Sequence, residues 1–154
     1  MPKELLSQVE KAIRRHAMLN SGDGVVVACS GGPDSLALLR ILCLLQPVYD
    51  LRLTAVYVDH GLRPEAKAEG EFVRELAERW GVAAQVQRVE ADLHVGEGSV
   101  QSRARSERYR LLHEVAARTN SSRIALGHTA DDQAETLVMR FIRGTGCQGL
   151  AGIP

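Results

Sequence analysis

Hydrophobic residues recur along the chain at two alternating spacings. Short runs rich in β-branched residues are typical of buried strands, and apolar residues three or four positions apart are typical of amphipathic helices. Strands are predicted at 25–29, 52–58, 83–89 and 123–127. Helices are predicted at 3–19, 33–46, 65–80, 100–119 and 130–143, with Gln46-Pro47 ending the second of them. This alternation predicts a Rossmann-like, three-layer α/β domain with a parallel sheet of about five strands.

The composition narrows the class of protein. The 154 residues suffice for one domain, and 19 Lys and Arg balance 19 Asp and Glu, so bulk charge does not indicate a nucleic-acid partner. Three cysteines without a C-x-x-C pair favour reduced thiols in a cytoplasmic protein over a disulfide framework or an iron–sulfur cluster. No apolar run approaches the length of a membrane span, so no membrane contact is expected.

The turn after the first predicted strand is the first candidate site. It reads Ser30-Gly31-Gly32-Pro33-Asp34-Ser35. One interpretation is an ordinary helix start, with Pro33 in the first position and Asp34 beside the positive end of the helix dipole. Two adjacent glycines exceed what such a start needs, and they expose backbone N–H groups that bind phosphate. The turn lacks the G-K-S/T and G-x-G-x-x-G patterns of other phosphate loops, and a carboxylate beside a phosphate requires a bridging metal, so Asp34 indicates Mg²⁺.

Two further polar segments follow predicted strands, at 59–63 and 127–132. The carboxyl ends of parallel strands meet at one edge of the sheet, where ligands bind, so both segments are expected beside the glycine turn. Taken alone, the Asp-His-Gly-Leu-Arg segment at 59–63 is best interpreted as a plain turn. Beside the glycine turn, its backbone would hold an adenosine and Arg63 would meet the phosphates.

The predicted helix 100–119 carries a strongly basic turn. Arg105 and Arg108 are three positions apart, so both side chains can point the same way. Two guanidiniums at the sheet edge would stabilise a polyphosphate, and a solvated helix face is an equally good interpretation.

The segment from 127 onward places carboxylates at a helix start. Asp131, Asp132 and Glu135 follow His128, and together they could bind Mg²⁺ or a substrate ammonium, or merely complement the helix dipole. The expected buried stripe of this helix consists of Ala134, Leu137, Val138 and Phe141. The glycine-rich stretch 144–152 is expected to be a flexible loop.

Four segments carry a resemblance to a known family. They are Ser30–Ser35, Val-Asp-His-Gly-Leu-Arg at 58–63, Ala104-Arg105 with Arg108-Tyr109, and the block 127–153. Together they resemble the tRNA(Ile)-lysidine synthetases, which implies an adenine-nucleotide α-hydrolase-like fold. The resemblance implies that ATP adenylates the C2 oxygen of the wobble cytidine of an isoleucine tRNA with a CAU anticodon. The ε-amino group of L-lysine then displaces AMP and leaves lysidine.

The resemblance also assigns ATP-binding residues. Residues 30–35 would hold the pyrophosphate, Asp34 would bind Mg²⁺, and Arg108 would contact the phosphates or the activated base. Arg63 completes the predicted nucleotide site. Residues 1–154 would form the ATP-binding catalytic core, ending before the further helices and the tRNA-contacting domain of the family.

The resemblance assigns the amine site to the block 127–153. Asp132 and Glu135 would bind the lysine ammonium and help to hold ATP, and His128 would lie close to the reacting phosphate. Two positions depart from the family pattern: Thr129 stands where many relatives have histidine, and Gln101 where many have glutamate. Neither is expected to touch a residue with an assigned role.

Two alternative functions are open at this point. One is an ATP-dependent tRNA thiolase of the same loop class, although the C-x-x-C pairs of its cytidine-thiolating branch are absent. The other is a non-catalytic adenine-nucleotide sensor, which would not need carboxylates for an ammonium. The sequence leaves the oligomeric state undecided, with a homodimer among the possibilities.

Overall fold

The computed structural model describes residues 3–142. The helices are α1 (Lys3–Arg15), α2 (Pro33–Tyr49), α3 (Ala66–Arg79), α4 (Val100–Arg118) and α5 (Ala130–Ile142). The strands are β1 (Gly24–Ala28), β2 (Arg52–Asp59), β3 (Ala83–Arg88) and β4 (Arg123–Leu126). Each predicted strand and helix is therefore present, and the alternating α/β order is confirmed.

All pairings in the sheet are parallel, in the order β3-β2-β1-β4. The described residues form four strands, one fewer than the predicted five. Ala28, at the end of β1, is level with Val56 of β2 on one side and Leu126 of β4 on the other. The chain adds strands to one side of β1 and then crosses to the other, so the gap between β1 and β4 is the switch point at which such sheets bind ligands.

The central strand β1 is buried on both faces, as its unbroken apolar run predicts. Val25 and Val27 pack into a cluster with Leu39 of α2 and Val73 of α3. Val26 points into a second cluster, which contains residues of α4 such as Leu112. Helices thus cover both faces of the sheet and form the predicted three layers.

Two helix ends differ from the predictions. α1 stops at Arg15 rather than 19, because Ala17 has a φ of +48° and Met18 donates its N–H back to the Ile13 carbonyl. α2 continues through Pro47 to Tyr49. Pro47 lies in the last turn, where one lost hydrogen bond is tolerated, and the helix ends at Asp50 in the left-handed conformation.

The expected buried stripe of α5 is wrong where it can be tested. Ala134 is exposed, and the side chain of Val138 is 57% exposed, because no described residue covers that face. The side chains of Leu137 and Phe141, and the glycine-rich stretch 144–152, lie outside the described residues. Within 3–142, no helix is both long and apolar enough to cross a membrane.

Candidate active site

A pocket of about 130 Å³ opens at the carboxyl end of the sheet, between β1 and β4. Five parts of the fold line it: the ends of β1, β2 and β4, the start of α2, and α4. The lining residues are Ala28, Cys29, Ser30, Ser35, Val56, Val58, His60, Arg108, Leu126, Gly127 and His128. The three polar segments that the sequence places at this edge therefore meet in one place.

The glycine loop, residues 30–35, is held closed by its own serines. The Ser30 N–H donates to Ser35 Oγ at 3.1 Å, and Ser35 Oγ donates to the Gly32 carbonyl at 2.9 Å. The two serine hydroxyls are 3.2 Å apart, and Ser35 is buried. Ser35 therefore fixes the shape of the loop from inside, while Ser30 stays exposed at its surface.

The start of α2 is left open to solvent. Gly32 is its N-cap and supplies no side-chain acceptor, so the N–H groups of the first turn lack a side-chain cap. Gly31 has a φ of +82°, a conformation that a residue with a Cβ rarely adopts. The exposed Asp34 carboxylate makes no hydrogen bond or ion pair within residues 3–142. This junction therefore presents backbone N–H donors that can bind an anion and one unpaired carboxylate that can bind a metal ion.

Gly127 brings the end of β4 against the glycine loop. A Cβ at this position would lie 3.0 Å from the Ser35 backbone nitrogen and 3.1 Å from the Asp34 carbonyl carbon. Such distances exclude a side chain unless the backbone moves. Nothing in the local sequence marks Gly127, because its role depends on a contact across the sheet.

Two arginines of α4 lie against the Tyr109 ring. The guanidinium carbon of Arg105 is 5.3 Å from the ring centroid, and that of Arg108 is 5.7 Å away. Neither arginine forms an ion pair within the described chain, and Arg108 Nε is buried without a hydrogen-bond partner there. Burial and the charge of Arg105 lower the pKa of Arg108. The pocket therefore carries an uncompensated positive charge on the side of α4, which favours an anionic ligand.

Two histidines face this charge from the strand ends. Burial, followed by the charge of Arg108, lowers the pKa of both His60 and His128. Nδ1 of His60 is buried and has no partner in the described part of the chain. His128 is a site residue predicted from the sequence, whereas around His60 the sequence predicted only backbone contacts with a ligand. Both imidazoles favour the neutral form, which can accept or donate one hydrogen bond to a ligand.

The start of α5 is closed by its own side chains. Asp132 Oδ2 accepts from the Thr129 N–H at 2.6 Å, and the Asp132 N–H donates to Thr129 Oγ1 at 3.2 Å. This is a reciprocal cap, and the hydrogen bonds that the carboxylate accepts from the Thr129 N–H and Oγ1 lower the pKa of Asp132. The expectation that Thr129 touches no residue with an assigned role is therefore wrong. Asp131 and Glu135 are exposed beside this cap.

Arg63 lines a separate pocket rather than the one between β1 and β4. Its Nη2 is 2.7 Å from Oε2 of Glu69, on α3. This second pocket, about 330 Å³, is lined by Ser30, Gly31, Gly32, Arg63, Glu69 and Phe72. Arg63 is therefore beside the glycine loop, as predicted, but a carboxylate already binds it.

No three acidic, histidine or cysteine side chains within 3–142 are grouped so as to hold a metal by themselves. The carboxylates at the start of α5 therefore do not form a metal site of that kind among the described residues. Asp34 alone fits Mg²⁺ differently, because this ion usually takes one or two protein carboxylates and completes its shell with phosphate oxygens and water.

The family of PP-loop domains, a class of ATP-binding domain, matches residues 3–154. The chain belongs to this family. Because the glycine loop at 30–35 lies at the switch point of the sheet, we refer to it below as the PP-loop.

The chain is similar to curated relatives that carry one shared name. The chain is 44% identical over 152 residues to the tRNA(Ile)-lysidine synthase of Symbiobacterium thermophilum, covering 97% of this chain and 32% of that protein. It is 47% identical over 137 residues to the enzyme of the same name from Solibacter usitatus, covering 88% and 30%. The chain thus spans about a third of the length of the curated relatives it matches.

Among solved structures, the U34-tRNA thiolase NcsA from Methanococcus maripaludis, described with its [4Fe-4S] cluster, superposes with a TM-score of 0.76 at 22% identity. That match covers 95% of this chain and 53% of the thiolase. NAD+ synthetase from Burkholderia pseudomallei gives a TM-score of 0.51 at 18% identity, covering 97% and 68%. At these identities the structures support the fold, and the α/β architecture is shared.

Proposed function

We propose that residues 1–154 form the ATP-binding catalytic core of a tRNA(Ile)-lysidine synthase, an ATP-dependent carbon–nitrogen ligase of the cytoplasm. The observation that carries the proposal is the similarity, over nearly the whole chain, to relatives of that name. The substrates are ATP, L-lysine and the isoleucine tRNA with a CAU anticodon. The wobble cytidine C2 oxygen attacks the α-phosphorus, pyrophosphate leaves, and the lysine ε-amino group then replaces AMP at C2.

The PP-loop and the open start of α2 are suited to the pyrophosphate part of ATP. Backbone N–H groups and the helix dipole favour an anion there, and Ser35 keeps the loop in shape. Asp34 would hold Mg²⁺ together with phosphate oxygens. The bound ion would offset charge that develops on the phosphates during adenylation.

Arg108 and His128 are suited to the reacting phosphate. Arg108 brings an unpaired charge and a buried Nε without a partner to the pocket between β1 and β4. A preorganised cation in a partly buried pocket stabilises charge that develops in a transition state. The neutral His128 imidazole lines the same pocket and can hold one proton of the reacting groups by a hydrogen bond.

Glu135 and Asp132 are suited to the lysine ammonium. Glu135 is exposed and makes no ion pair in the described chain, so its charge is available. Asp132 already accepts hydrogen bonds from Thr129, and its low pKa keeps it ionised. We therefore assign the larger share of ammonium binding to Glu135 and a shared capping role to Asp132.

The two alternative functions have less support. A thiolase with a cluster needs cysteine ligands, and this sequence has no C-x-x-C pair. Cys29 lines the pocket, but burial raises the pKa of its thiol to about 12, so it stays protonated. A sensor would bind ATP without needing exposed carboxylates at the start of α5.

Mass spectrometry of tRNA nucleosides tests the proposal. The protein is incubated with an unmodified isoleucine tRNA transcript, ATP and isotope-labelled lysine, and a transcript with uridine at the wobble position serves as the control. We expect labelled lysidine from the cytidine transcript alone. Incorporation of sulfur from added sulfide would favour the thiolase, and ATP binding without any change to the tRNA would favour the sensor.

A further inference from the structure

Three polar side chains form a hydrogen-bonded chain beside the PP-loop, and two of them, Arg63 and Glu69, line the pocket next to Gly31. Tyr57, on β2, donates its hydroxyl to Glu69 Oε2 at 2.8 Å. Arg63 Nη2 donates to the same oxygen at 2.7 Å. One carboxylate oxygen thus joins a strand of the core to an arginine of a surface loop.

The inner end of this chain is rigid. Tyr57 is only 4% exposed, and its ring packs against α3 where Gly70 leaves no room for a side chain. A Cβ on Gly70 would lie 3.1 Å from the Tyr57 ring and 3.3 Å from Val86. Burial and the hydrogen bond to Glu69 raise the pKa of Tyr57 to about 12, so the hydroxyl stays protonated and donates.

The outer end of this chain is exposed to solvent. The side chain of Arg63 is 62% exposed, whereas that of Glu69 is 31% exposed. An exposed arginine loses much rotamer entropy when it is fixed, and an exposed ion pair adds little to the free energy of unfolding. Holding Arg63 in one place therefore matters more for what lies beside it than for the stability of the domain.

The neighbour of this arginine is the PP-loop. Arg63 and Glu69 line one pocket with Ser30, Gly31 and Gly32. The loop rests on the same helix as Glu69, because a Cβ on Gly31 would lie 3.9 Å from the Val73 side chain. A single hydrogen bond to Glu69 leaves the other donors of the Arg63 guanidinium for a second ligand.

We propose that Glu69, anchored by Tyr57, is a positioning residue that holds Arg63 beside the PP-loop so that its guanidinium receives the phosphates of the nucleotide. The inference rests on the proposed binding of ATP at the PP-loop. Preorganising the arginine removes an ordering cost from nucleotide binding, since the rotamer is fixed before ATP arrives. Tyr57 acts through Glu69, and Glu69 acts through Arg63.

A double-mutant cycle tests the inference, with Mg-ATP affinity measured by calorimetric titration. The variants are Arg63→Gln, Glu69→Gln and the double variant. Glu78→Gln is the matched control, because among the described residues Glu78 pairs only with Arg74 on the same helix. We expect Arg63→Gln to weaken binding about tenfold and Glu69→Gln several-fold, with the double variant no weaker than Arg63→Gln. Tyr57→Phe should follow Glu69→Gln to a smaller extent, and Glu78→Gln should bind like the wild type.

The outcomes separate a positioning role from a structural one. Additive losses in the double variant would overturn the inference, because Glu69 would then act independently of Arg63. Tighter ATP binding by Glu69→Gln would also overturn it, because the carboxylate would be competing with the phosphates. Unfolding midpoints recorded for each variant should not follow the affinities. A wild-type protein that binds no ATP would overturn the proposed function as well.

Discussion

Two of the strand-to-helix junctions at the carboxyl edge of the sheet, β1 to α2 and β4 to α5, are built in opposite ways. Between β1 and α2, the N-cap is a glycine and no side chain accepts from the first turn. Between β4 and α5, Thr129 and Asp132 cap each other. The same local geometry is thus left open in one place and closed in the other.

The difference assigns opposite charges to the two ligands. An uncapped helix start attracts an anion, because its N–H groups and dipole are unsatisfied. A start that is already capped by a carboxylate has no such need, and the exposed Glu135 one turn later adds negative charge that suits a cation. This contrast supports the proposed placement of the phosphates at the start of α2 and of the amine at the start of α5.

The largest expected effect is at the open junction. Asp34→Asn should weaken Mg-ATP binding by about a hundredfold or more, because it removes the carboxylate proposed to hold the Mg²⁺ that would bridge it to the phosphates. Pro33→Ala should change it little, since Pro33 only presets φ at the helix start. Calorimetric titration of both variants makes the comparison. Wild-type affinity for Mg-ATP in the Asp34 variant would contradict the proposed binding of Mg²⁺ by Asp34.

The second prediction concerns the contact between the junctions. Gly127→Ala should lower the free energy of unfolding by about 1–3 kcal/mol, because a Cβ at 3.0 Å from the Ser35 backbone forces a shift. The same shift should weaken ATP binding. Gly22→Ala is a control for a glycine with nothing within 4 Å, although its φ of +83° brings strain of its own. Urea titration with and without ATP measures both effects, and an unchanged PP-loop affinity would show that the junctions are independent.

The third prediction belongs to the closed junction. Glu135→Gln should raise the lysine KM about tenfold and leave ATP binding intact, because a charged partner of the ammonium is lost. The dependence of tRNA modification on lysine concentration measures it. If the lysine KM and rate are unchanged, the carboxylates at this junction serve only the helix dipole.

The fourth prediction separates capping from binding. Thr129→Val removes the hydroxyl that accepts from the Asp132 N–H and should cost about 1 kcal/mol of unfolding free energy. Thermal unfolding measures this cost. ATP affinity should stay within twofold of the wild type, because the start of α5 is not proposed to bind the phosphates. A loss of ATP binding as large as that of Asp34→Asn would show that the two junctions act as one site.

The smallest expected effect is a fraction of a proton. Burial and Arg108 lower the pKa of His60 and His128, and bound phosphates should offset that charge and raise both. At His60, Arg63 also lowers the pKa and Asp59 raises it. At His128, Arg105 also lowers the pKa and Asp132 raises it. Near pH 6, ATP binding should therefore take up protons. Calorimetry in buffers of different ionisation enthalpy measures the uptake, and proton release would contradict this prediction.

The same shifts set the pH dependence of the ligand-free protein. The pKa of each imidazole is lower in the folded than in the unfolded chain, so just below the unfolded value of about 6.5 the unfolded state binds more protons. The free energy of unfolding should therefore fall as the pH drops through that window. His60→Gln should flatten this dependence.

The sequence predicts the sheet well because burial on both faces leaves a strong signal. The run from Val25 to Val27 is unbroken, and the structure buries it fully. The end of α2 was misjudged because Pro47 is tolerated in a last turn. Val138 was misjudged because helical spacing shows which residues share a face, but not whether another element covers that face.

The candidate site was predictable where its chemistry is local, as in the PP-loop. It was not predictable where it depends on contacts across the fold. Gly127 matters only because β4 lies against the loop, and Arg63 binds Glu69 only because α3 packs on β2. The place of His60 in the pocket became evident only from the structure, because a histidine in a turn is common in proteins.

The contact at Gly127 has a consequence for anyone who redesigns this protein. The two segments of the candidate site at Gly127 and Ser35 pack too closely for a side chain between them, so they cannot be exchanged as separate modules, because a graft that shifts one displaces the other. Altering the amine specificity should therefore begin with side-chain replacements along α5. Insertions between Leu126 and Thr129 would alter the nucleotide site at the same time.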